Sequence, residues 1–207
     1  MRSRAFATER MSGEIYHDFM DAGFRRSGQV FYQPVCSRCR DCIPIRVPTR
    51  DFLPTKSQRR VWRRNQDLRV HAGAPTLSEE KFELYLRYLD DRHGRGDTTY
   101  DDLERFLYHS PVDTVELEYR NEGGRIMGVS ILDVCNRSLS SVYMYFDPEE
   151  ARRSPGVYSA LFEIAWAREH EIDFYYLGFW VKDCPSMSYK ADYTPHEILR
   201  TDGLWLR

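Results

Sequence analysis

The sequence predicts an α+β fold, in which a mixed sheet with flanking helices follows a small cysteine-containing N-terminal module. Its 207 residues suffice for one sizeable core and at most one further small module. The first third of the chain is basic and rich in turns, whereas the rest alternates amphipathic helices with apolar strands. The change falls near residues 73–75, so we predict two domains, residues 1–73 and residues 74–207.

The N-terminal module contains two predicted helices separated by a turn-rich stretch. Ser12 can cap a short first helix that Gly23 ends. Residues 25–54 include four prolines, which exclude a long helix there. Residues 57–68 read SQRRVWRRNQDL and predict a second helix with arginines around an apolar face.

The C-terminal part predicts helices after Ser78 and Thr99, followed by a strand-rich segment. The predicted strands are Thr114–Tyr119, Ile126–Val134, Ser140–Phe146 and Phe174–Trp180, and the helix between the last two is Val157–Glu169. A strand, a helix and a second strand in succession indicate a crossover between parallel strands. A mixed sheet in this order is GNAT-like, since it resembles the sheet of the GNAT acyltransferases.

Basic residues concentrate between Arg25 and Arg69. This segment holds twelve Lys or Arg against three acids, within a chain of formal net charge −2. The excess indicates a polyanionic partner, and a solvated helix face is the alternative. Four of these residues recur every three to four positions and therefore form one stripe on a helix. This basic stripe consists of Arg59, Arg60, Arg63 and Arg64.

Three cysteines follow the pattern Cys-x-x-Cys-x-x-Cys in the same basic segment: Cys36, Cys39 and Cys42. Three thiols at this spacing can converge on zinc or an iron–sulfur cluster, and the interspersed arginines would favour thiolates. A tetrahedral zinc site needs a fourth ligand, for which Cys184 is a distant candidate. Free thiols without a metal are the alternative, so no cofactor is assigned with certainty.

The sequence favours a cytoplasmic protein without a membrane anchor. No window approaches the roughly 18 uninterrupted apolar residues of a membrane span. The first ten residues are charged and lack the apolar core of a secretion signal. The five cysteines are not distributed like a disulfide framework, which agrees with a reducing compartment.

Sequence blocks along almost the whole chain resemble one enzyme family. The blocks are DAGFRRSG (21–28), the cysteine segment, SQRR (57–60), SSVYMYFDP (140–148), YYLGFW (175–180) and MSYKAD (187–192). In this order they resemble the aminoacyl-tRNA–protein transferases, which include arginyl-tRNA–protein transferases and bacterial aspartate/glutamate leucyltransferases. On these blocks the chain is identified as a member of that family.

The resemblance implies transfer of an amino acid from aminoacyl-tRNA to the N-terminal Asp or Glu of proteins, which marks them for N-degron degradation. Leucine is the favoured donor amino acid and arginine the alternative. Aminoacyl-tRNA and such proteins are the expected partners, and the oligomeric state is not predicted. An acetyl-CoA-dependent acetyltransferase is a second hypothesis. An inactive tRNA- or degron-binding paralogue is a third, because the family's upstream Cys-x-Tyr-Leu-Pro segment has no match here.

By analogy with the fold, the active site should lie where strand 140–146 separates from strand 174–180. Tyr143, Tyr145 and Tyr176 would place phenols there, able to donate to an oxyanion or relay a proton. Their alternative role is packing within the sheet, since aromatic residues favour strands.

Charged residues complete the predicted site. Asp133 would hold the attacking ammonium, or else cap a strand end. Lys190, inside the MSYKAD block, would bind the tRNA terminus or the acidic side chain of the acceptor, and a surface lysine without such a role is the alternative. Arg25, Arg26 and Arg46 are expected to bind that carboxylate by two-pronged contacts. The basic stripe would contact tRNA phosphates.

Overall fold

The computed structural model describes residues 2–94 and 98–207, which form an α+β fold with two sheets. The strands are β1 (Ser3–Ala7), β2 (Arg25–Ser27), β3 (Val30–Pro34), β4 (Ile43–Pro48), β5 (Arg69–Gly73), β6 (Thr114–Arg120), β7 (Ile126–Val134), β8 (Ser138–Phe146), β9 (Phe174–Trp180), β10 (Glu197–Leu199) and β11 (Trp205–Leu206). The helices are α1 (Gly13–Asp21), α2 (Lys56–Arg64), α3 (Glu79–His93), α4 (Tyr100–Leu103), α5 (Pro155–Glu169) and α6 (Pro185–Ser188). A π-helix (Glu104–Tyr108) continues α4, and 3-10 helices precede α5 (Pro148–Arg153) and follow α6 (Tyr189–Asp192). Among the described helices, none has the length and apolar character that a membrane crossing requires.

The larger sheet has eight strands in the order β11-β10-β4-β9-β8-β7-β6-β5. Strands β8 and β9 are parallel and α5 connects them, as the sequence predicted. The four predicted strands and the helix between the last two are confirmed as β6 to β9 and α5, each end within two residues of its prediction. Helix α5 packs against one apolar cluster of this sheet and α3 against another. The predicted α+β class is therefore confirmed.

The N-terminal segment contributes to both sheets. Strands β1, β3 and β2 form the smaller sheet, whereas β4 lies between β9 and β10 of the larger sheet. Strand β5 pairs with β6 at the opposite edge. The boundary predicted at residue 73 therefore does not separate two sheets, because residues on both sides of it share one.

Strand β4 lies in the stretch that was predicted to consist of turns because of its prolines. The strand includes two of them, Pro44 and Pro48, which cannot donate backbone hydrogen bonds. Strand β10 pairs only with Ile45 and Arg46, so β4 has a single neighbour along the positions of its prolines. This arrangement places the missing donors where no second ladder needs them.

Helix α2 begins with a capping box formed by Thr55 and Gln58. It ends at Arg64, four residues before the predicted end, where the Asn65 side-chain amide donates to the carbonyl oxygens of Val61 and Arg153 at 2.9 and 3.1 Å. The second of these bonds ties α2 to the start of α5. Helix α2, which bears the basic stripe, is thereby held beside α5, which connects β8 to β9.

A buried carboxyl group connects α5 to the sheet. Glu163 is 1% exposed, and its two oxygens accept hydrogen bonds from the hydroxyls of Ser159 and, at 2.5 Å, of Tyr175. The Ser159 hydroxyl also contacts that of Ser130 in β7 at 2.6 Å. These partners are hydroxyl groups rather than cations, so burial raises the pKa of Glu163 above its ordinary value.

Replacement of Glu163 by glutamine is expected to flatten the pH dependence of stability. The native state binds the Glu163 proton more tightly than the unfolded chain, so the free energy of unfolding falls as pH rises above an ordinary pKa of ~4.3 toward the raised native value. One group contributes at most about 1.4 kcal/mol per pH unit. Urea unfolding of both proteins between pH ~5 and ~7 measures the effect, and parallel curves would contradict it.

Candidate active site

The eight-stranded sheet opens between β8 and β9. Their pairing covers Ser138 to Ser140 against Phe174 to Tyr176 and then stops. Beyond it, β8 continues along β7 while β9 continues along β4. The strands thus separate where the sequence placed the active site, which leaves backbone groups on both strands without a sheet partner.

Two cations occupy this opening. Arg25 Nη2 donates to the Ser141 carbonyl oxygen of β8 at 2.6 Å, and Lys190 Nζ donates to the Phe179 carbonyl oxygen of β9 at 2.9 Å. Gly178 lies beside both cations, where a Cβ would make ordinary contacts of 3.5 Å with Lys190 Nζ and 3.7 Å with Arg25 Nε. Its φ of +90° is a backbone conformation that other residues rarely adopt, so glycine is required by the backbone at this point of β9. An isolated glycine inside an aromatic strand is a sequence signal for such a special backbone position.

The charge of Arg25 acts on Lys190, and Arg25 itself retains an N–H donor without a partner in the described ranges. Burial, and next the charge of Arg25, lower the pKa of Lys190 to about 8. Arg25 is 7% exposed, yet its Nη1 has no hydrogen-bond partner among the described residues. A buried unpaired N–H group beside a second cation suits an anionic oxygen, either a carboxylate or the oxyanion of a carbonyl addition.

A cleft of about 570 Å³ lies beside the opening, between the N-terminal ends of α2 and α5. We call it the N-terminal cleft; its lining includes Gln58, Ser154, Val157, Tyr189 and Tyr193. Tyr189 directly precedes Lys190, so cleft and opening share the MSYKAD segment. The Tyr193 hydroxyl is buried without a described hydrogen-bond partner. Sequence analysis did not identify Tyr193, which follows the recognised block by one residue.

Arg26 and Asp133 bind each other instead of a substrate. Arg26 Nε and Nη2 donate to the two Asp133 oxygens at 2.8 and 2.5 Å, and both side chains are 0% exposed. Thr114 Oγ1 also donates to Asp133 at 3.0 Å. In the structure, neither residue offers a free group for the role that the sequence suggested, because the two side chains are buried and bind each other.

Arg46 and Tyr176 belong to a second internal network. Arg46 pairs with Asp21 at 2.5 Å and Glu197 at 2.9 Å, and its Nη1 donates to the Tyr176 hydroxyl at 2.9 Å. The guanidinium also lies 4.2 Å from the Trp205 ring centre. Tyr176 in turn donates to Asp21, and burial raises its pKa. Arg46 therefore already has two carboxylate partners, in contrast to its expected role in acceptor binding.

Tyr143 and Tyr145 pack against α3. The Tyr145 hydroxyl is 2.8 Å from that of Tyr108, and the ring contacts Tyr85 edge-on. Tyr143 contacts Tyr85 and Phe106 in the same manner. Burial raises the pKa of both phenols. These contacts are those of the packing alternative; of the predicted catalytic residues, Lys190 is the one that the structure places directly in the opening.

The basic stripe faces solvent on α2. All four of its arginines are exposed, and none forms an ion pair with a carboxylate in the described part of the chain. Arg64 donates to the carbonyl oxygen of Arg152, so the stripe continues onto the segment before α5. The result is a solvated cationic surface next to the N-terminal cleft.

The cysteine loop lines a groove of about 590 Å³ at the edge of the opening, together with Phe179. Cys36 accepts a backbone hydrogen bond from Arg2 at 3.2 Å, and Cys39 donates to Asp41 at 3.0 Å. Burial and the two neighbouring thiols raise the pKa of Cys42, contrary to the expected stabilisation of thiolates by arginines.

Metal binding by the cysteine loop stays a prediction. Across residues 2–94 and 98–207, no three His, Cys, Asp or Glu side chains are arranged to hold a metal ion. Cys184, the candidate fourth ligand, lies at the start of α6 and contacts Ser186 at 3.2 Å. As placed, the thiols do not fit a preformed tetrahedral site.

A mixed sheet that opens between two parallel strands is a GNAT-like fold, which confirms the fold class that the sequence predicted. The fold is similar to that of L-PGS from Bacillus licheniformis, with a TM-score of 0.54 and 16% identity, covering 86% of this chain and 52% of that one. FemX is similar too, with a TM-score of 0.54 and 10% identity, covering 88% of this chain and 64% of that one. The chain thus spans less than two thirds of either protein.

Residues 1–60 match the N-terminal model of arginine-tRNA-protein transferase and residues 80–200 the C-terminal model, so the chain belongs to this transferase family. The aspartate/glutamate leucyltransferase of Hahella chejuensis is 38% identical, covering 93% of this chain and 83% of the relative. That of Pseudomonas entomophila is 41% identical, covering 91% and 81%. The family and the enzyme class predicted from sequence are confirmed.

Proposed function

We propose that the protein transfers leucine from aminoacyl-tRNA to the N-terminal Asp or Glu of other proteins in the cytoplasm, and so marks them for N-degron degradation. The names of the relatives support leucine and the acidic acceptors. The observation that carries the proposal is the unpaired, buried Nη1 of Arg25 beside Lys190 in the opening of the sheet. This arrangement offers two positive groups to one carbonyl oxygen.

In the proposed reaction, the neutral α-amine of the acceptor attacks the ester carbonyl carbon of aminoacyl-tRNA. The carbonyl oxygen becomes an oxyanion, which Arg25 Nη1 and Lys190 Nζ stabilise. The C–O bond to the ribose then breaks, an amide remains, and the ammonium proton passes to the leaving ribose oxygen or to solvent. The ester is already activated, so positioning and charge stabilisation suffice without a nucleophilic side chain.

The aminoacyl end of the donor is assigned to the N-terminal cleft, because the cleft adjoins Lys190 on one side and the basic stripe on the other. The acceptor is assigned to the groove beside the cysteine loop, which shares Phe179 with the opening. Arg40 and Arg200 line that groove and can face an acidic side chain. Donor and acceptor would then meet at the opening from different sides.

A transfer assay tests the proposal. Labelled Leu-tRNA and Arg-tRNA are offered side by side to peptides that begin with Asp, Glu or Ala. We expect labelled peptide from Leu-tRNA with Asp and Glu but not Ala. Labelling from Arg-tRNA alone would overturn the donor assignment, and absence of any labelling would overturn transferase activity towards these peptides. Acetylation from acetyl-CoA would instead favour the acetyltransferase hypothesis.

The basic stripe predicts a salt-dependent contact with tRNA. Replacing Arg59 and Arg60 by alanine is expected to weaken tRNA binding by about tenfold at low salt and to reduce the slope of log affinity against log salt by about 2. Filter binding at several salt concentrations measures both quantities. The Arg137→Ala variant is the control, because Arg137 is an exposed arginine that pairs with Asp173 elsewhere on the surface. An unchanged slope would show that Arg59 and Arg60 do not contact tRNA phosphates.

A further inference from the structure

A second depression, distinct from the N-terminal cleft, lies between the sides of α2 and α5. We call it the side groove; its volume is about 370 Å³. Its apolar lining consists of Phe52, Pro54, Trp62, Leu161, Ile164 and Ala165. Arg59 and Arg168 line it as well, and Glu169 is the acidic member among the described lining residues. An apolar floor is thus set within a cationic surface.

The charges around the side groove indicate what it binds. Arg59 belongs to the basic stripe, and Arg168 is exposed on α5; neither pairs with a carboxylate in the described ranges. Trp62 is partly exposed at the groove, with its ring against those of Tyr158 and Phe162. Arg59 donates to the Pro54 carbonyl oxygen at the groove, which leaves its charge without a carboxylate partner in the part of the chain described. A flat aromatic surface between two such cations suits a planar ring carried on a phosphate chain, which is the chemistry of an unpaired nucleotide.

The side groove and the N-terminal cleft share a wall. Phe52 lines the groove and Tyr193 lines the cleft, and their ring centres are 6.1 Å apart. The two sites are therefore neighbours, separated by this pair of packed rings. A single strand whose terminal nucleotide enters the cleft and which passes over these rings can place an upstream base in the groove, with its phosphates toward Arg59.

We propose that the side groove binds an unpaired base from the single-stranded 3′ end of the donor tRNA, upstream of the nucleotide that carries the amino acid. The inference rests on the proposed function, since it takes the donor to be aminoacyl-tRNA. It assigns the groove a positioning role: the base held there fixes the path of the strand and directs the ester toward the opening.

The test is a binding cycle that combines two changes: a substitution that fills the side groove and a tRNA that lacks its single-stranded 3′ end. Ala165→Phe places a ring in the groove, and Ala72→Phe is the matched control on the exposed edge strand β5. Each protein is titrated with intact uncharged tRNA and with tRNA that lacks its single-stranded 3′ nucleotides. We expect wild type and Ala72→Phe to bind the shortened RNA about tenfold more weakly than the intact RNA.

For Ala165→Phe, we expect severalfold weaker binding of intact tRNA and a clearly smaller further loss on shortening than in the wild type, because the filled groove cannot take the base and only the contact of the terminal nucleotide with the N-terminal cleft is left to lose. Wild-type affinity of Ala165→Phe for intact tRNA would overturn the proposal, and so would equal binding of both RNAs by the wild type, a result that needs no variant. A Trp62→Leu variant, with folding checked by its Tm, should reproduce the loss.

The outcome separates this inference from the proposed function. If the wild type transfers no amino acid but the binding cycle shows the expected coupling, the groove assignment stands and the reaction assignment fails. If transfer proceeds and Ala165→Phe binds and reacts like the control, the groove assignment alone fails; a protein partner would then be its remaining occupant.

Discussion

Replacement of Lys190 by methionine is expected to lower the kcat of aminoacyl transfer by about 100- to 1000-fold, the usual cost of losing one oxyanion donor. Lys190 Nζ lies in the opening of the sheet, bonded to the Phe179 carbonyl oxygen and adjacent to Arg25. Binding of tRNA should change little, because we assign most phosphate contacts to the basic stripe. Single-turnover transfer and filter binding measure the two quantities. Lys182→Met, an exposed lysine in the loop after β9, is the control.

The pH profile identifies the form of Lys190 that acts. The acceptor amine must be neutral, so the rate should rise as pH approaches an α-amine pKa of ~8. Lys190 must be charged to stabilise the oxyanion, so the rate should fall as pH passes its own pKa of about 8. Lys190→Arg keeps the charge and should lose the falling limb. A wild-type rate that reaches a plateau above this pH would contradict the requirement for a charged Lys190.

Replacement of Asp133 by alanine is expected to lower the free energy of unfolding by about 3–5 kcal/mol. The substitution leaves the Arg26 guanidinium buried without its carboxylate partner, and both side chains have no exposure in the native protein. Urea unfolding at neutral pH measures the change.

Two further measurements decide between a structural and a catalytic role of Asp133. The double variant Arg26→Met/Asp133→Leu, which removes both charges, should regain most of the lost stability. Transfer activity per folded molecule should then approach that of the wild type. Native stability of Asp133→Ala together with lost transfer would return Asp133 to the catalytic residues.

The sequence was most informative where a local pattern and a tertiary arrangement coincide. Strands β6 to β9 and helix α5 were predicted because each is long and apolar, with clear turns between them. The parallel pairing of β8 and β9 followed from the helix between them, and it located the opening that holds Lys190. Strand β4 was not predicted because its prolines are typical of a turn. They are tolerated because β10 pairs only with Ile45 and Arg46, so no described neighbouring strand on that side needs a backbone donor at the proline positions.

Residue type could not separate the arginines. Arg25, Arg26 and Arg46 lie in family-like blocks and carry the same charge, yet of the three only Arg25 has a buried N–H group without a hydrogen-bond partner in the described part of the chain. Asp133, the partner of Arg26, and Glu197, one of the two carboxylate partners of Arg46, are more than 100 residues away in the chain. The residues next to an arginine in the sequence do not indicate such distant partners. Which arginine is paired and which keeps an unpaired buried donor is therefore seen only in the folded structure.

The position of β4 between β9 and β10 has a consequence for biosynthesis. Residues 43–48 leave the ribosome well before their hydrogen-bonding partners at residues 174–180 and 197–199. Contacts so distant along the chain slow folding, because a long loop must close before they form. We expect nascent chains to stay incompletely folded until residues 174–199 have left the ribosome, and a polypeptide cut at residue 73 to regain activity only when both fragments are mixed.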